Sequence, residues 1–158
     1  MNIIEGNSSA PSSSKPSGKT IDLHNSQCAS HDSATRWVGS ALIYLVDDEQ
    51  GLIELYALFL QGAGHRVRMF KSRADALSSL MADSQKPDLL VTDCLGDAMP
   101  IHLFIQRCRM VHPELRILMA SGISEDDVRS YCLRPDRFLG KPFTADRFVR
   151  EVSAALAG

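Results

Sequence analysis

The chain has 158 residues, with 17 Lys plus Arg against 19 Asp plus Glu and a formal charge of −2 at pH 7. That length holds one ordinary domain plus a tail, with a core that needs no staples, and it excludes two full domains. The near balance of charge excludes a nucleic-acid footprint over the whole surface and favours protein partners. Cys28, Cys94, Cys108 and Cys132 have no C-x-x-C spacing and read as reduced, cytosolic thiols. Carboxylates near Cys94 are expected to raise its pKa and discourage a redox role. The five histidines are dispersed without zinc spacing, so each is read as a solvated or capping side chain.

Residues 1–40 differ in composition from the remainder: ten of them are Ser, and no apolar periodicity lasts more than a few residues. A disordered Ser-rich tail is expected there, with Ile21, Leu23 and Trp37 as its only anchors. The start of the chain lacks the basic and apolar pattern of a secretory signal, and no later stretch is apolar for long enough to span a bilayer. A cytoplasmic protein without membrane contact is the expectation.

From residue 41 onward, strand-like runs alternate with helical ones. Leu42-Ile43-Tyr44-Leu45-Val46 reads as a buried strand ending in Asp47-Asp48. The helix that follows, from about Glu49 to Ala63, is expected to bury Leu52, Leu55, Tyr56, Phe59, Leu60 and Ala63. Leu58 then lies on the far side near Glu54, with Ile53 and Ala57 at the margin. His65 to Phe70 alternates as a second strand. Ser72-Arg73-Ala74-Asp75 is a capping box opening a helix that carries Leu77, Leu80 and Met81 inward. Leu89-Leu90-Val91-Thr92 is a third buried strand and delivers Asp93 at its carboxyl end. An irregular Gly96-Asp97-Ala98-Met99-Pro100 loop follows, then a helix from about Ile101 to Val111 that stops before Pro113.

Leu115 to Ala120 is the fourth strand and runs into Ser121-Gly122. Ser124-Glu125-Asp126-Asp127 caps the next helix, with three acids in its first turn where the helix dipole favours them. Arg137 to Gly140 is a short fifth strand leading to Lys141-Pro142-Phe143. Thr144 caps a last helix striped by Ala145, Phe148, Val149, Val152 and Leu156. Five strands alternating with five helices give an α/β fold, a parallel sheet covered on both faces.

Open parallel sheets place their chemistry at the carboxyl ends of the strands. Four of these ends carry polar groups here: Asp47 with Asp48, Asp93, Ser121, and Lys141. At an effective dielectric of about 20, two unit charges about 4 Å apart repel by roughly 4 kcal/mol, so converging carboxylates call for a cation. A carboxylate nucleophile, a hard divalent cation, a hydroxyl and an ammonium are together the parts of a phosphoryl-transfer site. Singly, each has an ordinary reading as a helix cap, a loop acid, a turn residue or a solvated charge; jointly, at successive strand ends, coincidence explains them poorly.

From Ala41 to its end the sequence resembles the receiver domain of bacterial two-component response regulators. The acidic pair of that family matches Asp47-Asp48, its phosphoacceptor Asp93, its switch hydroxyl Ser121, and its lysine before proline Lys141-Pro142. Ser121 and Lys141 follow Asp93 by 28 and 48 residues, in keeping with the family. The resemblance implies a flavodoxin-like, doubly wound five-stranded sheet of order 2-1-3-4-5, with residues 41–158 as the receiver. It implies Mg2+, or Mn2+ in its place, held by Asp48, Asp93 and the backbone carbonyl of Leu95, with Asp47 acting through water. It also makes Phe138 the aromatic switch and Gly122 the small residue that admits a phosphoryl group. Three positions depart from the family. Where it has Met-Pro after the phosphoacceptor, and a Gly further on, this chain has Gly96-Asp97 and Ile101, and Asp97 adds a fourth carboxylate.

The function so implied is uptake of a phosphoryl group on Asp93 from a phosphohistidine, followed by a change in protein-binding surface. The chain is expected to catalyse its own phosphoryl uptake and slow dephosphorylation without being an enzyme in the ordinary sense. The donor is expected to be a sensor histidine kinase or a histidine phosphotransfer protein docking at Leu58. A downstream target or a homodimer would meet the cationic surface of Arg129, Arg134, Arg137, Arg147 and Arg150. The last helix ends with the chain, so no output domain and no direct nucleic-acid contact are expected. The alternatives are a degenerate receiver acting as a phosphorylation-independent adaptor, or the receiver piece of a larger phosphorelay protein. Adjacent rather than alternate aspartates disfavour an aspartate-nucleophile phosphatase, and acids after the first strand disfavour a flavin-phosphate loop.

Overall fold

The computed structural model describes residues 39–130 and 134–158, and of Arg129 and Ser130 the backbone alone. Apart from Gly39 and Ser40, the tail expected over residues 1–40 lies outside the described residues, as do Cys28, Trp37 and Cys132. Ten elements alternate along the described chain: β1 (Leu42–Val46), α1 (Gln50–Gly62), β2 (Arg66–Phe70), α2 (Arg73–Ala82), β3 (Leu89–Thr92), α3 (Ile101–Val111), β4 (Arg116–Ser121), α4 (Glu125–Ser130), β5 (Arg137–Gly140) and α5 (Ala145–Ala157). The strands form one parallel sheet in the order β2-β1-β3-β4-β5. This is the doubly wound, flavodoxin-like arrangement, with all five carboxyl ends at one edge.

Alternation of side chains across the sheet explains why β1 and β3 are buried throughout. Leu42, Tyr44 and Val46 pack with Leu77 and Leu80 of α2 and Phe104 and Ile105 of α3. Ile43 and Leu45 enter the opposite layer with Ile53 and Leu60 of α1 and Phe148 and Val152 of α5. The register sets the site. Val46 is level with Thr92, so Asp47 and Asp93 leave neighbouring strands side by side, and the Asp93 amide donates to the Val46 carbonyl at 3.2 Å. Ser121 is level with Gly140, and the Lys141 amide donates to the Ser121 carbonyl at 2.8 Å.

Three sequence expectations are corrected. In α1 the buried face is Ile53, Tyr56, Ala57 and Leu60, while Leu52 and Phe59 are half-buried and Leu55 is 43% exposed. Ala63, the helix's C-cap, is exposed. Apolar side chains occupy nearly every position from Leu52 to Leu60, so two helical stripes compete and composition alone does not choose between them. Met81 projects outward from α2, whose buried residues are Arg73, Ala76, Leu77 and Leu80. His65 is buried rather than solvated, its Nδ1 accepting from the Ala41 amide at 3.4 Å.

Burial holds the His65 pKa below its usual value. The unfolded chain therefore takes up a proton that the folded chain resists, and stability is lost as pH falls from the ordinary imidazole value of about 6.5 toward the depressed folded one. His65→Gln, which keeps an acceptor without the titration, should show a smaller difference in urea midpoint between about pH 8 and about pH 5 than the wild type. Equal differences in the two proteins would remove His65 as the acid-sensitive group.

Candidate functional site

Asp47 is buried at the end of β1 and uses both carboxylate oxygens. Oδ1 accepts from the Glu49 amide at 3.0 Å, which turns the chain into α1, and Oδ2 accepts from Lys141 Nζ at 3.0 Å. The Lys141 ammonium is also 3.8 Å from Asp93 Oδ1. Partial burial alone would lower the lysine's pKa, but the Asp47 hydrogen bond and the charges of Asp93 and Asp47 outweigh it and hold the ammonium above its usual value. Lys141 thus answers part of the repulsion between the two strand-end acids. Its ammonium lies 5.8 Å from the centre of the Tyr56 ring, which packs against Phe143 and Phe148.

Asp93 is 19% exposed, yet its Oδ1 is buried without a hydrogen-bond partner. The solvent-facing oxygen is therefore Oδ2. Asp48 is exposed, and its carboxylate lies against Gly96: a Cβ at Gly96, whose φ is +84°, would meet Asp48 Oδ1 at 2.6 Å. Only glycine suits both that backbone and that approach. Ser121 is fully buried, its Oγ accepting from the Ile123 amide at 3.4 Å, while the space beside Gly122 is open. Phe138 is half-buried against the α2–α3 layer of the core.

The loop after β3 is held by polar bonds. Asp97 Oδ2 accepts from the Arg73 amide at the start of α2, and Asp97 Oδ1 from the Met99 amide, both at 2.7 Å. Arg73, 3% exposed, sends its guanidinium back into the same loop: Nη1 donates to the Met99 carbonyl at 2.7 Å, and Nη2 to the Asp93 and Leu95 carbonyls at 3.0 and 3.1 Å. Arg73 was missed in the sequence. A cation in a helix's first turn opposes the dipole, and its position there was the one available signal. Cys94 follows Asp93 and is buried; burial first, and the Asp93 charge second, push its thiol pKa up.

Asp47, Asp48, Asp93, Asp97, Arg73 and Leu95 are among the residues that line one small cavity. Among the described residues no three His, Cys, Asp or Glu side chains lie close enough together to hold a metal, Asp47 being turned to Lys141. The oxygen donors Asp48 and Asp93, with an Asp93 Oδ1 that accepts no hydrogen bond, fit a hard cation in chemistry. The Leu95 carbonyl already accepts one hydrogen bond from Arg73.

The partner-facing candidates are separate from this site. Leu58 is 64% exposed on α1, one turn from exposed Leu55. Arg147, Arg134 and Arg150 are exposed; Arg137 is paired with Glu151 at 3.3 Å, and the Arg129 side chain lies outside the described residues. No helix among the described residues is long and apolar enough to cross a membrane.

The profile of the response regulator receiver domain matches residues 43–153. The chain belongs to that family. Phosphoryl acceptance is the family's general function, and its members in general bind Mg2+ at the phosphorylation site. Among curated relatives, the sensor kinase CckA of Brucella abortus is 27% identical over 127 residues, covering 79% of this chain and 13% of its own. The DNA-binding transcriptional regulator NtrC of Escherichia coli is 27% identical over 118 residues, 73% of this chain and 25% of its own. This receiver thus spans a quarter or less of either protein. Among solved structures, a CheY-like receiver from Methanospirillum hungatei superposes with a TM-score of 0.67 at 17% identity, over 75% of this chain and 95% of that one. NtrX from Brucella abortus gives 0.67 at 28% identity, over 75% and 27%.

If Asp97 is a loop staple, Asp97→Ala should destabilise the fold by roughly 1–3 kcal/mol, because two amides lose their acceptor. Asp97→Asn should recover part of that. Urea denaturation in metal-free buffer checks it, and an unchanged midpoint for the alanine variant would show that the staple carries no weight.

Proposed function

We propose that this receiver takes a phosphoryl group on Asp93 from a phosphohistidine and signals by a change of its protein-binding surface. The observation that carries the reading is the half-buried Asp93 carboxylate, whose inner oxygen has no hydrogen bond and lies 3.8 Å from the Lys141 ammonium. In the proposed step Asp93 Oδ2 attacks phosphorus, the P–N bond breaks, and the donor histidine nitrogen leaves with the electron pair. Asp48, Asp93 and the Leu95 carbonyl would hold Mg2+, or Mn2+ in its place, with Asp47 joining through water. The cation's contribution is to neutralise charge on the phosphoryl oxygens.

Lys141 would exchange Asp47 for a phosphoryl oxygen, a charge-assisted bond of the strong kind. Gly122 leaves the approach open, Ser121 supplies its hydroxyl, and Phe138 turns toward the space that hydroxyl vacates. A surface including Arg129 and Arg147 then meets a downstream protein or a second copy. Self-catalysed uptake and slow self-dephosphorylation belong to the same reading. A second reading, an adaptor independent of phosphorylation, is favoured by Arg73 already holding the Leu95 carbonyl.

Incubation with Mg2+ and acetyl phosphate should add one phosphoryl group by intact mass, and Asp93→Asn should add none. A mass shift that survives in the variant removes Asp93 as the acceptor, and no shift in the wild type favours the adaptor. The donor protein, a sensor kinase or histidine phosphotransfer protein, would lie on α1 across Leu58 and Leu55. Truncated apolar anchors commonly cost about 1–2 kcal/mol, so Leu58→Asp should slow transfer from a protein donor about tenfold and leave acetyl-phosphate labelling unchanged. Equal protein-donor rates would take the docking site away from α1.

A further inference from the structure

Arg73 is an unusual residue to bury here. Its guanidinium has no ion pair among the described residues, its Nε is buried without a hydrogen-bond partner, and its remaining nitrogens reach only backbone carbonyls. A buried charge so placed is costly unless opposite charge lies near. The opposite charge comes from the acids that line the same cavity, Asp48, Asp93 and Asp97, while Asp47 is turned to Lys141, which lies outside it. One of the carbonyls Arg73 holds, that of Leu95, is the backbone oxygen assigned above to the metal.

We propose that Arg73 is a built-in cation that sets this receiver's affinity for its divalent metal. By placing a fixed positive charge beside the acidic cavity, held there in part by its bond to the Leu95 carbonyl, it opposes a second cation there. Its stiff planar fork, fixed on three carbonyls, keeps that charge in place. Asp97 anchors the other side of the arrangement, since its carboxylate accepts from the Arg73 amide and fixes the start of α2 against the loop. Arg73 is thus a positioning residue for the phosphoacceptor loop and a competitor at the metal. The inference rests on the metal site proposed above.

The test is direct calorimetric titration of the full chain with Mg2+, repeated with Mn2+, with no phosphodonor present. Arg73→Met keeps an apolar stem and removes the charge, and should bind either metal about tenfold tighter than the wild type. Arg73→Lys keeps the charge without the fork and should stay within about threefold of the wild type. A purely structural Arg73 gives a different pattern: both variants lose thermal stability and neither binds metal more tightly, which overturns the proposal. Equal tightening in both variants overturns it too, because charge would then not be the cause. Should Arg73→Met fail to fold, the neutral Arg73→Gln takes its place in the comparison. Asp48→Asn separates the two levels of the argument. Saturable binding that this variant loses, but that Arg73→Met leaves unchanged, sinks the role of Arg73 alone; no saturable binding in any protein sinks the metal site and the proposal with it.

Discussion

The repulsion among acids at the carboxyl edge of the sheet is the constraint on which the rest of this site depends. A parallel sheet brings every strand's carboxyl end to one edge, so Asp47 and Asp93 emerge side by side from β1 and β3. The chain answers with Lys141, which lies beyond β5 and reaches Asp47 across 94 residues of sequence. Its hydrogen bond is strong because both partners are charged and Asp47 is buried. The same side chain lies near the ring of Tyr56, so the electrostatic repair also joins α1 to the aromatic packing of Phe143 and Phe148.

The loop after β3 meets a different demand. It leaves the sheet beside Asp47 and Asp48, and beyond the packing of Cys94 and Met99 against the core its shape is fixed by hydrogen bonds. Asp97 accepts two amides, Arg73 donates to three carbonyls, and Gly96 takes the left-handed backbone that brings it against Asp48. Bonded buried polar groups rigidify a segment, and within this network Arg73 Nε is a donor left without a partner. The pair Gly96-Asp97 has local work here: one residue makes room for Asp48 and the other ties the loop to α2.

Much of this was legible in the sequence, for identifiable reasons. The continuous apolar runs of β1 and β3, the capping boxes at Ser72 and Ser124, the Thr144 cap, and the stripe of Phe148, Val152 and Leu156 each depend on residues near one another in the chain. The strand-end acids, hydroxyl and lysine were legible because topology converts strand order into proximity. The face of α1 was not, since Leu52, Ile53, Leu55, Tyr56, Ala57, Phe59 and Leu60 satisfy two helical stripes and tertiary packing decides between them. His65 was read as solvated because its burial depends on the Ala41 amide, 24 residues away. Arg73 was passed over because its partners are backbone carbonyls, which carry no mark in a sequence.

The two cations of the site are anchored in opposite ways, and this divides their work. Lys141 is a compact charge on a flexible four-carbon stem, held chiefly by one carboxylate, so it can exchange that partner for another anion by rotating its own side chain. Arg73 is a planar fork fixed on three carbonyls of one loop, and moving it would break all three bonds together. Phosphoryl uptake as proposed would need one cation free to follow the incoming charge and one that keeps the loop in shape. Lys141 and Arg73 lie on elements well separated in sequence, the turn after β5 and the first turn of α2. The mobile charge can therefore shift without loosening the loop that carries the Leu95 carbonyl.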